Sequence, residues 1–194
     1  MLLLACYSWT LWKNLCLPFR WDCRPIGTAF QSNSIIRNFN EFQYFTKLAT
    51  LANNAFNGSG IAQITFPISL TTIGTSTYCH TFLDCLNLRK LIFNEGFAFA
   101  HDRCIWGCKN ITLLDFPSTT TTLQGYSIQC YDSVNQKNYV IICRAITPPA
   151  LGSISYTNKL TAVYVPDESV SAYKTASVWS GIAAKIKPLS EYTS

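Results

Sequence analysis

Phe82-Leu83-Asp84-Cys85-Leu86-Asn87-Leu88-Arg89-Lys90-Leu91-Ile92-Phe93 sets Phe82, Cys85, Leu88 and Leu91 three residues apart, then alternates Leu91 with Phe93. Ile105, Cys108, Ile111 and Leu114 repeat that spacing, and Ala55, Gly58, Ile61 and Ile64 give it again. Cys85 and Cys108 thus share one equivalent position, where the earlier copy has Gly58. The second half of the unit reads apolar-x-x-apolar-x-apolar. It occurs as Ile61 to Phe66, Leu88 to Phe93, Ile111 to Phe116 and Leu160 to Val165, and Pro67, Pro117 and Pro166 follow three of these. The interval from Ile61 to Leu88 is slightly longer than that from Leu88 to Ile111. The interval from Ile111 to Leu160 holds two further turns, the second using Tyr139-Val140-Ile141-Ile142-Cys143. A third element trails the strand: Pro67 leads to Ile73-Gly74, and Pro117 to Leu123 and Gly125.

Three elements in constant order imply one supersecondary unit stacked on itself. The alternating positions predict a very short strand with one face inward. Proline then stops the ladder, and glycine and polar residues, including Thr119 to Thr122, turn the chain back. One such turn cannot bury its own apolar face, whereas stacked turns bury a continuous core. Cys85 and Cys108 become small core side chains in one column, a role that suits free thiols. Beyond Pro148-Pro149 the pattern changes. Asp167 is expected to cap a helix carrying Val170 and Tyr173 on one face, with Trp179, Ile182 and Ile186 continuing an apolar stripe. This segment reads as a cap over the open end of the stack.

Composition limits the function classes. Of 194 residues, 48 % are hydrophobic and 13 % charged, which favours a packed core over disorder. The net charge of +5 is spread without a Lys/Arg run, so no nucleic-acid partner is expected. No stretch reaches the ~18 to 20 apolar residues of a bilayer span, and Met1 to Cys6 lacks the basic region and apolar length of a signal peptide. The nine cysteines form no Cys-x-x-Cys motif. The two histidines offer the metal groupings Cys79-His80-Cys85 and His101-Cys104-Cys108, but Cys85 and Cys108 already belong to the ladder. Neither a Gly-x-Ser-x-Gly elbow nor a Gly-Lys-Ser/Thr phosphate loop occurs, so no catalytic residue, metal or cofactor is expected.

The first two intervals fall in the ~20 to 29 residue range of leucine-rich repeats. At Ala55-Phe56, Phe82 to Leu91 and Ile105 to Leu114 the sequence resembles the BspA-like, or Treponema pallidum-type, leucine-rich-repeat surface proteins of gut bacteria. Phe39 to Thr46 is similar to the lead-in of many members, and Tyr164 to Ile186 to their C-terminal end. The likeness spans residues 26–192; segment 94–104 lacks the Pro and Ile-Gly pair, and 126–150 is degenerate. Segment 1–25 does not resemble the family. It reads as an N-terminal cap or as an extension with no native role, for which a truncated or mis-started reading frame is one explanation.

The resemblance implies a β-rich solenoid, a right-handed superhelix of short parallel strands with a small helical C-terminal cap. The expected division is an unassigned segment 1–25, a solenoid over 26–146, and a last strand with cap over 147–194. It further implies a non-enzymatic recognition protein, extracellular or at the cell surface, with an adhesion or host-interaction role and a protein or glycan ligand. A structural spacer, or a fragment of a larger surface protein, is the alternative. Strand alternation sets Gln63, Thr65, Lys90, Ile92, Leu113, Asp115, Ala162 and Tyr164 outward, on the concave face where repeat proteins bind.

Overall fold

The computed structural model describes residues 27–130, 135–154 and 157–193, so the readings of residues 1–25 lie outside the described part. The alternating segments form a main parallel sheet in which each strand comes from a successive coil. Its strands are β5 (Lys90–Ile92), β7 (Leu113–Phe116), β9 (Tyr139–Cys143), β11 (Leu160–Val165) and β12 (Ile186–Pro188). In register, Leu91 pairs with Leu114, Leu114 with Ile141, Ile141 with Val163, and Val163 with Ile186. The earliest coils supply a two-stranded ladder, β1 (Asn38–Phe39) with β3 (Gln63–Ile64), linked to β5 when the Arg89 amide donates to the Ala62 carbonyl. The degenerate segment around 126–150 therefore still contributes a full strand, because Tyr139 to Cys143 keep the apolar alternation that register requires.

The segment expected only to turn the chain back does more. Thr50–Leu51 (β2), Thr72–Ile73 (β4), Phe99–Ala100 (β6), Thr122–Leu123 (β8) and Ala150–Leu151 (β10) build a second parallel sheet in that order. These strands are two residues long, too short for alternation to show, but Thr-Thr-Ile and Thr-Thr-Leu are β-branched enough to extend. The path from the first sheet to the second is nearly constant. It is the same from Ile64 to Ile73, Leu91 to Ala100 and Leu114 to Leu123, and one position longer from Ile141 to Leu151. The return path varies more. It is longest from Ile73 to Leu91 and from Leu123 to Ile141, shorter from Ala100 to Leu114, and shortest from Leu151 to Val163. Differences in coil length thus fall mainly on a third, turn-rich face.

Equivalent side chains pile into columns. Phe30, Phe56 and Phe82 stack with centroids 5.1 and 5.2 Å apart and rings within 7° of parallel. Phe66, Phe93 and Phe116 form another stack at 4.8 and 5.3 Å. Offset aromatic pairs of this kind add about 0.5–1.5 kcal/mol each beyond burial. The backbone repeats as well. Ser32, Gly58, Asp84 and Gly107 occupy one corner of successive coils with φ of +55°, +66°, +52° and +77°. A Cβ on Gly107 would run into the Asp84 carboxylate of the preceding coil, so at this coil the corner requires glycine, although Ser32 and Asp84 occupy it elsewhere.

The C-terminal segment departs from the sequence reading in two details. Asp167 does not cap the helix. It opens a 3-10 turn (Asp167–Ser169), and its Oδ1 accepts the Ser190 amide at 3.0 Å. Ile186 belongs to strand β12 rather than to a helical stripe. Helix α1 (Val170–Thr175) and a 3-10 segment (Trp179–Lys185) lie between. The Tyr173 hydroxyl donates to the Ala145 carbonyl (2.7 Å) and the Trp179 indole to that of Pro149 (2.8 Å), tying this segment to the last full coil.

Candidate binding face

Parallel pairing decides which side chains share the outer surface of the main sheet. One column runs Lys90, Leu113, Val140, Ala162; its neighbour runs Ile92, Asp115, Ile142, Tyr164, Lys187. Gln63 and Thr65 lie on the preceding coil, where the Thr65 hydroxyl donates to Asn40 Oδ1 (3.2 Å). The main sheet therefore aligns six of the eight residues named from sequence, with Gln63 and Thr65 on the coil before it. It also adds Val140 and Ile142, which sequence reading placed in the run of a further turn without naming them as outward, because that coil lacks the repeat's glycine and proline.

Their accessibility differs. Gln63, Lys90 and Ile92 are exposed, Ile92 to 49 %, and Thr65, Val140 and Tyr164 are half-buried. Leu113, Asp115, Ala162 and Ile142 are buried. Leu113 sits between Lys90 and Val140 and Ala162 beside Val140, so neighbouring rungs flank them at about 4.8 Å. Asp115 is held by Arg144, whose Nε and Nη2 donate to its two carboxylate oxygens at 3.0 and 2.8 Å. This bidentate contact holds the Arg144 guanidinium above its ordinary pKa. Tyr192 stands edge-on to Tyr164 with centroids 5.0 Å apart. The open part of the face offers two separate apolar points, Ile92 beside Lys90 and Tyr164 beside Lys187, with the Asp115–Arg144 pair and buried Ile142 on the rungs between them.

The thiols considered as metal ligands face the core. Cys85 Sγ donates to the Phe56 carbonyl (3.0 Å) and Cys108 Sγ to that of Phe82 (2.8 Å), each reaching back one coil. Burial pushes the Cys108 thiol well above its ordinary pKa, and that of Cys143 up to about 11. His80 and His101 are half-buried on or near the turn-rich face, His101 against the Phe99 ring at 4.6 Å. Among the described residues no group of three His, Cys, Asp or Glu side chains converges to hold a metal.

Against this geometry, the model of the BspA-type leucine-rich-repeat region matches residues 24–81 and 54–176, in six copies. The chain belongs to the BspA-type leucine-rich-repeat family. Among curated proteins, none matches it. BspA-type proteins are generally surface or binding proteins, and their repeats are typically non-enzymatic binding domains. In this BspA-type solenoid no described helix is long and apolar enough to cross a membrane.

Proposed function

We propose that the chain is a non-enzymatic recognition protein of the bacterial surface or exterior, of the adhesion or host-interaction type. It binds a protein or glycan through the outer face of the main sheet. The observation that carries this reading is the alignment of Lys90, Ile92, Tyr164 and the Asp115–Arg144 pair from successive coils on one surface. An exposed isoleucine and a half-buried tyrosine beside charged groups match the mixture of apolar anchor and polar rim at protein interfaces. Residues 26–146 form the recognition array. Residues 147–194 supply the last strand and a C-terminal cap, a division supported by the Tyr173 and Trp179 hydrogen bonds to the last coil.

The test is a screen of the full chain against extracellular-matrix proteins and glycans, followed by the variant Ile92→Ser/Tyr164→Ser, which leaves every charge in place. Loss of two interface anchors should weaken the captured partner's affinity by ~30-fold or more. An unchanged Kd would remove the sheet face from the reading, and capture of no partner would favour the solenoid as a spacer within a larger surface protein.

A further inference from the structure

We propose that the leading edge of the main sheet, where its parallel strands begin, binds a linear acidic polysaccharide laid along the solenoid axis. The cations that look scattered in sequence collect there. Arg37 immediately precedes β1; Arg89 precedes β5 and Lys90 opens it. Lys109 lies four residues before β7 and Lys137 two before β9. Lys159 directly precedes β11 and Lys185 directly precedes β12. Because every pairing is parallel, all these positions share one edge. Lys109 and Lys137 are adjacent on it, the Lys137 amide donating to the Lys109 carbonyl at 2.9 Å.

The carboxylates fall elsewhere. Glu41, Glu95, Asp167, Glu168 and Glu191 follow strands, and Asp115 lies within one. Asp84 and Asp102 stand on the turn-rich face, and Asp22 and Asp132 lie outside the described residues. Among the described residues no ion pair within 4.0 Å joins a leading-edge cation to a carboxylate. Arg37 donates to the Gly60 carbonyl and Lys185 to those of Thr157 and Leu160. The side chains of Arg89, Lys90 and Lys137 are exposed, and those of Lys109 and Lys159 are half-buried. Like charges held on rungs about 4.8 Å apart repel one another and sum to a local positive potential. An anionic chain running along the stack relieves that repulsion at every rung.

The neighbouring side chains select among anions. Gln63, Asn87, Asn110, Asn138 and Asn158 are interleaved with the cations, amides suited to hydroxyl and sulfate oxygens. Among the described residues from each of these cations to the first residue of its strand, the one aromatic side chain is the buried Tyr139, so that stretch offers no platform for stacking bases. A second copy is the poorer fit. Of the five carboxylates that follow strands, three are already engaged within the chain: Glu95 by Ser118 at 2.8 Å, Asp167 by the Ser190 amide at 3.0 Å, and Glu191 by Lys187 at 4.0 Å.

Heparin immobilised on a column is the probe, with the full chain loaded at about physiological salt, where bare surface charges more than ~8 Å apart are screened. The chain should be retained. Arg89→Gln/Lys109→Gln/Lys137→Gln should bind soluble heparin ~10-fold more weakly and elute at lower salt. The control Lys47→Gln/Arg103→Gln/Lys174→Gln removes the same charge from other surfaces and should elute close to the unaltered chain. Neither triple touches Ile92 or Tyr164, so loss here is separable from loss of recognition by the sheet face. Four results overturn the proposal. They are no retention, equal shifts in both triples, displacement by a single-stranded oligonucleotide as effective as by heparin, or retention that sedimentation traces to self-association of the chain.

Discussion

Arg144 and Asp115 come from successive coils and are joined by two short hydrogen bonds on the outer face. Asp115 is nearly covered while Arg144 remains exposed, so the two substitutions should not cost the same. Arg144→Ala leaves a covered carboxylate without its partner and should lower stability by about 1–3 kcal/mol in urea titrations, whereas Asp115→Asn should cost less. Equal losses would mean that the pair acts only as a surface ion pair. The thiols make a second residue-scale prediction. Burial raises the pKa of Cys108, Cys130 and Cys143 in the folded chain, Cys143 to about 11, above an unfolded value near 9. A raised folded pKa contributes stability that is fully present below the unfolded value and is lost as pH rises toward the folded one. The urea midpoint should therefore fall from about pH 9 upward, and Cys143→Ala should make that fall shallower. A midpoint that stays flat well above that pH would contradict the assignment. Of these features, the Cys85 and Cys108 ladder was legible because the same side chain recurs at the same place. The Asp115–Arg144 pair was not, since it depends on the register of a coil whose motif has decayed.

At the scale of single elements, the Phe30-Phe56-Phe82 stack and the left-handed corner beside it are the repeat's structural signature. Phe82 is fully buried at the end of its stack, so Phe82→Ala should cost about 3–5 kcal/mol by equilibrium unfolding. The corner gives two changes of opposite sign. Gly107→Ala adds a Cβ at φ +77° against the Asp84 carboxylate and should destabilise by about 1–2 kcal/mol. Asp84→Gly, at φ +52°, should stabilise by roughly 0.5–1 kcal/mol in thermal melts. Should both changes lower Tm, the corner is held by the Asp84 side chain and not by backbone conformation. Strands β3, β5, β7 and β11 could be placed from alternation alone, since three apolar positions in register leave no other face to bury. The second sheet escaped because Thr72-Ile73 and Thr122-Leu123 look like turn residues until their neighbours pair with them.

For the whole molecule, stacking turns a sequence without charge runs into a solid with a positive edge and an acidic one that is partly compensated from within. That segregation was invisible in the sequence because it depends on where strands begin, not on which residues are neighbours. The fold class was readable from periodicity. Which of the outward residues stay accessible was not, because Leu113, Ala162 and Ile142 are closed over by flanking rungs whose side chains only register assigns. The proposed cap gives a test at this scale. Removing residues 166–194 strips Tyr173 and Trp179 from Ala145 and Pro149 and leaves β11 as an unprotected edge. The shortened chain should lose its cooperative thermal transition and associate with itself in sedimentation runs, and a monomer melting like the full chain would refute the capping role.

The uneven return path also has a use. Since connections of quite different length join the second sheet to the first without disturbing either, foreign loops spliced into that side should leave the pairing intact. The stack would then serve as a display scaffold, with one flank for grafting and the opposite sheets as an inert frame.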